Sequence, residues 1–121
     1  MQVRGLVWLG TRTPQPEAMT IFCKQALGLT ASREEPGFAL FELPDGATLE
    51  VFGPDAEGGG HPEAGAVAGF LVDDVEAARA ELAAAGCEVR ELHRHDPYAW
   101  AYFTAPDGNL YEVTSGPYPT P

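Results

Sequence analysis

The sequence predicts an α+β fold of two βαβββ units, and three observations predict it. The first is a repeat: residues 39–51 (ALFELPDGATLEV) return as residues 101–113 (AYFTAPDGNLYEV) at one offset (107 − 45 = 62). Alanine, phenylalanine, Pro-Asp-Gly, glutamate and valine recur in register, which marks two copies of one supersecondary unit. The second is that a helical apolar pattern closed by glycine precedes each copy, at Gly28 and at Gly86 (86 − 28 = 58). The third is a segment rich in glycine, proline and acid, residues 54–65 with the run Gly58-Gly59-Gly60, which reads as a linker. Each copy brings one glutamate just before its last strand ends. Packed as a pseudo-twofold pair, the copies set Glu50 and Glu112 face to face.

Each element has its own signal. Residues 3–13, rich in Val, Leu and Trp, read as a strand. Pro14 and Pro16 punctuate it, and Pro16 suits the first turn of a helix. Met19, Phe22, Cys23, Ala26 and Leu27 recur at helical spacing as one apolar stripe, and Gly28 closes that helix in a left-handed cap. Residues 30–35 form a short polar strand or a loop. Residues 38–43 and 48–52 are strands joined at Pro44-Asp45-Gly46, a type I turn followed by a left-handed residue. The second unit repeats the order. Residues 66–72 are a strand, Asp73 or Asp74 is a helix N-cap, and Val75, Ala78, Leu82 and Ala85 stripe a helix that Gly86 ends. Residues 87–92 are a strand of alternating faces, followed by a hairpin of residues 98–103 and 109–114. The modules are thus about 3–53 and 66–115 of a single domain spanning 1–121, with a short tail from Gly116.

A chain of 121 residues with 45% hydrophobic and 21% charged residues is long enough to bury a core without staples. Its formal charge of −11 repels nucleic-acid phosphates and anionic lipid alike, so neither nucleic acid nor membrane is an expected partner. That acidity either keeps the protein soluble or attracts a cationic ligand. No apolar run is long enough to span a bilayer, and the opening Met-Gln-Val-Arg-Gly-Leu carries no export signal. Cys23 and Cys87 lack metal-type spacing and are expected as reduced thiols, which points to the cytoplasm. Cys23 falls on the helix stripe and is expected to pack. A nucleophile elbow, a phosphate-cradling loop and a dinucleotide fingerprint are all missing from the sequence.

Two strand-borne carboxylates are a start for a divalent-metal site, but tight transition-metal sites also want histidine. Two βαβββ units, each closing on strand, Pro-Asp-Gly and strand with glutamate, resemble the vicinal oxygen chelate superfamily. Its members include glyoxalase I, extradiol dioxygenases, methylmalonyl-CoA epimerase, fosfomycin-resistance enzymes and bleomycin-resistance proteins. Phe22-Cys23 with Leu27-Gly28-Leu29 resembles the family's helix end, and residues 102–112 resemble its most recognisable segment. The resemblance implies a curved mixed sheet around a cleft, with the helices outside. In metal-using members the ligands come from the first and fourth strands of each unit. Carried over, the fourth-strand positions are Glu50 and Glu112, and the first-strand positions fall on Trp8 and Val67, neither of which binds a metal.

His61 sits in the linker, and His93 and His95 precede the second hairpin. His93 and His95 share one face of an extended segment and read as exposed residues at a strand end rather than as a chelating pair. Trp8, Phe38, Leu40, Trp100 and Tyr102 fall on positions that face the concave sheet in the family, while Phe41 and Phe103 have the opposite phase and fill the sheet–helix layer. An aromatic-lined cleft with a few polar groups suits a small molecule, although such rings also serve as plain core. Arg12 shares the phase of Trp8 and either meets an anionic ligand or is an ordinary surface arginine. Glu50 and Glu112, if close, should push one carboxyl pKa up. The expected function is metal-free binding of a small aromatic or cationic molecule, without a cofactor, by a homodimer as in relatives of the bleomycin-resistance type. The alternative is a lyase, isomerase or dioxygenase that uses a divalent metal through Glu50 and Glu112.

Overall fold

The computed structural model describes residues 1–55 and 65–118. Most of the expected linker, with Gly58-Gly59-Gly60 and His61, lies outside the described residues. The α+β order of two βαβββ units is observed, with one strand divided in the second copy. The elements are β1 (Gly5–Arg12), α1 (Pro16–Gln25), β2 (Ala31–Glu35), β3 (Phe38–Glu42), β4 (Thr48–Phe52), β5 (Gly65–Leu71), α2 (Val75–Ala84), β6 (Glu88–Val89), β7 (His93–His95), β8 (Tyr98–Thr104) and β9 (Leu110–Ser115). Contacts gather the chain into two units, Trp8–Val67, and Met1–Val7 together with the chain from Ala68 onward. The leading residues are tied to that second unit: the Arg4 N–H donates to the Leu71 carbonyl at 2.8 Å, and the Arg4 guanidinium forks onto Asp73 at 2.9 and 2.8 Å.

In the first unit the strands run β2-β3-β4-β1, antiparallel except for the parallel β4–β1 pair. Residues 30–35, left open by the sequence, thus contain an edge strand. Helix α1 covers one face, where Cys23, Ala39, Phe41, Leu49 and Val51 form the core with Met19, Leu29 and Ala31 around them. Burial pushes the Cys23 thiol up, so it packs as a small hydrophobe. The expected helix stripe needs correction. Phe22 and Leu27 remain 49% and 52% exposed, and Pro16 and Thr20 take the inward positions beside Cys23. Phe22 lies about 100° around the axis from Cys23, and the helix ends before Leu27 can follow its period.

In the second unit β5 pairs in parallel with β9, β9 antiparallel with β8, and β8 with both β6 and β7. Asp74 is the N-cap of α2, accepting from the Ala77 N–H at 3.0 Å, while Asp73 serves Arg4. Val75 and Ala78 join Ala99, Ala101, Phe103 and Val113 in the core, with Leu82 at its margin. Ala85, expected in the stripe, is an exposed C-cap.

The expected alternating strand over residues 87–92 is interrupted. Val89 faces Phe103 and the Arg90 N–H still reaches the Tyr102 carbonyl at 2.8 Å. The Arg90 carbonyl, however, accepts from Arg79 Nε of α2 at 2.9 Å instead of continuing the ladder. Pairing resumes one residue out of register, with His93 opposite Trp100. The first unit slips in the corresponding place, between Ala31 and Arg33. A slip of one residue exchanges the faces of all that follows.

Both Pro-Asp-Gly turns close alike. Leu43 N–H bonds Ala47 O at 2.8 Å and Ala105 N–H bonds Asn109 O at 3.0 Å, while Asp45 and Asp107 each accept from the backbone two residues on. Gly46 and Gly108 have φ of 88° and 83°, a region costly for a residue with Cβ. A Cβ at Gly108 would meet nothing within 4 Å, so only the backbone resists it. Gly108→Ala is therefore expected to lower unfolding free energy by about 1–2 kcal/mol in chemical denaturation. An unchanged midpoint would show that the turn tolerates the side chain.

Candidate functional site

Each sheet has one face under its helix, and the predicted site residues lie on the other. In the first unit β1 register sets Trp8 beside Thr48, Gly10 beside Glu50 and Arg12 beside Phe52. From the other side, Leu40 faces Glu50 and Phe38 faces Phe52. Trp8, Arg12, Phe38, Leu40 and Glu50 therefore share a face, opposite to Phe41 and Val51. In the second unit Gly69 and Tyr102 flank Glu112, and Trp100 lies between His93 and Thr114. The repeat thus reaches the level of neighbours: each glutamate has a first-strand glycine on one side and a hairpin residue on the other.

The first-unit residues touch in a defined way. The Trp8 ring lies across Gly10, where a Cβ would stand 2.2 Å from its Cη2 and 2.3 Å from its Cζ2. Phe52 packs against Trp8 with ring centroids 6.4 Å apart, and Phe38 stacks on Phe52 at 6.3 Å. Guanidinium groups cover the row, Arg12 5.6 Å over Phe52 and Arg33 5.4 Å over Phe38. Arg12 Nη1 is anchored on the carbonyls of Gly53 and Pro54 at 2.8 and 2.9 Å, and Arg33 Nη2 pairs with Glu35 at 2.8 Å. The Trp8 indole N–H donates to the Glu50 carboxylate. Burial pushes the Glu50 carboxyl above the usual carboxylate range, while that hydrogen bond and the Arg33 charge pull the other way.

In the second unit Tyr102 and Glu112 are each 3% exposed, and Trp100 is half-buried. Thr114 Oγ1 lies 3.3 Å from the Ala99 carbonyl and 3.1 Å from the Tyr118 hydroxyl. The expectation of an exposed pair of histidines fails for His93. It is half-buried, stacked on Trp100 at 5.7 Å and 16°, with Tyr102 edge-on at 6.1 Å. His95 is exposed. Sequence reasoning also missed Gly10, Arg33 and Phe52. Only Phe52 had a signal, the same strand phase as Glu50.

A model of the Glyoxalase/Bleomycin resistance protein/Dioxygenase superfamily matches residues 5–113. The chain belongs to that superfamily. Solved structures share its fold at low identity. Methylmalonyl-CoA epimerase from Mycobacterium tuberculosis has 20% identity and a TM-score of 0.70, covering 98% of this chain and 90% of its own. A variant of the Streptomyces coelicolor methylmalonyl-CoA epimerase, in complex with 2-nitronate-propionyl-CoA, has 18% identity and a TM-score of 0.72 over 99% and 100%. A glyoxalase/bleomycin resistance protein/dioxygenase superfamily member from Vibrio splendidus 12B01 has 18% identity and a TM-score of 0.66 over 93% and 98%. Among curated proteins, none matches the chain by sequence.

The superfamily often uses a divalent metal, and the donor set here does not fit one. Trp8, two residues before Gly10, and Val67, two before Gly69, hold equivalent positions on β1 and β5. Indole N–H is a donor only, and valine has no donor atom for an ion. Among the described residues no three of His, Cys, Asp and Glu gather as a metal-binding group. Glu50 is bound instead by a hydrogen-bond donor of the chain itself.

Proposed function

We propose that the protein is a metal-free binder of a small aromatic or cationic molecule, of the bleomycin-resistance kind within its superfamily. The observation that carries this reading is the Trp8 indole on the Glu50 carboxylate. It puts an N–H donor where a metal-using relative would need a lone pair, and leaves a carboxylate set among aromatic rings. Rings and buried carboxylates together suit an organic cation, which gains from both charge and π faces. Flat aromatic ligands gain from stacking alone. The net charge of −11 adds long-range attraction for cations. A homodimer belongs to the proposal by likeness to such binding proteins, as does the cytoplasm, whose reducing conditions suit the free thiols of Cys23 and Cys87.

The test combines two measurements on protein purified without chelator. Elemental analysis is expected to find no stoichiometric divalent metal. Melting is expected to shift upward with at least one member of a panel of glycopeptides, aromatic amines and quaternary ammonium compounds. A flat response across the panel would remove the reading. The second reading, a lyase, isomerase or dioxygenase working through Glu50 and Glu112, draws on the fold likeness to methylmalonyl-CoA epimerase. Stoichiometric metal that disappears in Glu50→Gln or Glu112→Gln would make this the leading reading instead.

A further inference from the structure

We propose that His93 is a ligand-contacting residue, and that the sheet face it shares with Trp100 and Tyr102 takes a planar aromatic ring bearing an in-plane hydrogen-bonding group. The inference deepens the binding reading above and rests on it. The register slip between β6 and β7 carries the first part of the argument. Continued in the register of β6, the ladder would set Leu92 opposite Trp100 and turn His93 toward the helix. The slip reverses both: Leu92 packs at the margin of the helix-side core, and His93 stands on the face of Trp100, Tyr102 and Glu112. Bulges commonly re-aim a side chain in this way beside functional sites.

The second part is the state of the imidazole. Stacking on Trp100 at 16° and the edge contact with Tyr102 hold the ring in place through its π system. Its hydrogen-bonding atoms lie in the ring plane, and among the described residues neither nitrogen has a hydrogen-bond partner. A half-buried imidazole fixed by its face and unclaimed at its nitrogens offers directional recognition to a ring in the same aromatic row. Phenols, aromatic amines and nitrogen heterocycles have the required shape and in-plane atoms.

Quinoline and naphthalene are a matched pair of probes, alike in shape and different in one ring nitrogen. Titrated into the full chain, quinoline is expected to move the His93 ring signals in proton–carbon spectra and to leave those of His61 and His95 in place. His93→Phe keeps the stack and should weaken quinoline roughly tenfold while changing naphthalene by less than about twofold. His93→Gln, with an in-plane amide, should recover part of the loss. Equal quinoline affinity in wild type and His93→Phe, with His93 signals unmoved, would overturn this inference alone. If neither probe binds the wild-type chain while a member of the panel above does, this inference falls and the binding reading stands; if nothing binds, both fall. Should both variants fail to fold, the wild-type spectra decide the matter.

Discussion

Gly10→Ala is expected to destabilise the chain by about 3 kcal/mol, the upper end for forcing one methyl into a packed site. The new Cβ would stand 2.2 and 2.3 Å from two Trp8 ring atoms and 3.1 Å from Phe52 Cζ. No rotamer adjustment of a methyl can relieve this, so the indole must leave. Its departure also removes the N–H from Glu50 and exposes a large apolar surface. Trp8 fluorescence should shift to the red, and denaturant midpoints should fall. Combining Gly10→Ala with Trp8→Ala should cost less than the sum of the two single changes, because the second removes what the first strikes. Strict additivity, or an unshifted spectrum in Gly10→Ala, would show that the cradle is not there.

Glu50→Gln is expected to weaken binding of cationic ligands by about ten- to a hundredfold, the range for losing a charged hydrogen-bonding partner, while making the fold more stable at neutral pH. Burial raises the folded-state pKa of Glu50 above its unfolded value. The stabilising contribution of such a group is complete below the unfolded pKa and is lost as pH rises through the folded one. Glutamine keeps an oxygen for the Trp8 N–H and has no charge to bury. Wild type and variant should therefore melt together below the unfolded-state pKa of a glutamate and separate as pH rises through the raised folded-state one, the variant higher. A variant that melts lower at neutral pH would mean that the carboxylate is held by favourable contacts that outweigh its desolvation.

On the binding reading proposed above, function and stability pull apart at Glu50, as happens where a charge is kept under cover for a ligand. The residues that reveal this were partly legible in the sequence. The repeated Pro-Asp-Gly segment fixed the hairpins, their left-handed glycines and the equivalence of Glu50 with Glu112, because turn chemistry is local and strand period is strict. Counting from the helices assigned Trp8 and Val67 to matching places, and the strand register agrees.

What escaped was non-local or broke a period. The contact of Trp8 with Gly10 needs the ring to fold back along its own strand, which no spacing rule describes. His93 escapes because a period-two pattern cannot show where a bulge falls, and one residue of slip turns it from the helix side of the sheet to the face of Trp100. Phe22 and Leu27 looked like helix core because apolar character was counted before helix length and phase.

The tie between Arg4 and the segment Leu71–Asp73 has a bearing on how the gene can be dissected. The boundary between repeats does not by itself delimit the later unit, since Met1–Val7 count with it although they open the first repeat. A scission between the repeats would leave the downstream fragment without the leader that borders it, and the upstream fragment with a stub whose partners are gone. A downstream fragment for separate expression needs Met1–Val7 supplied with it.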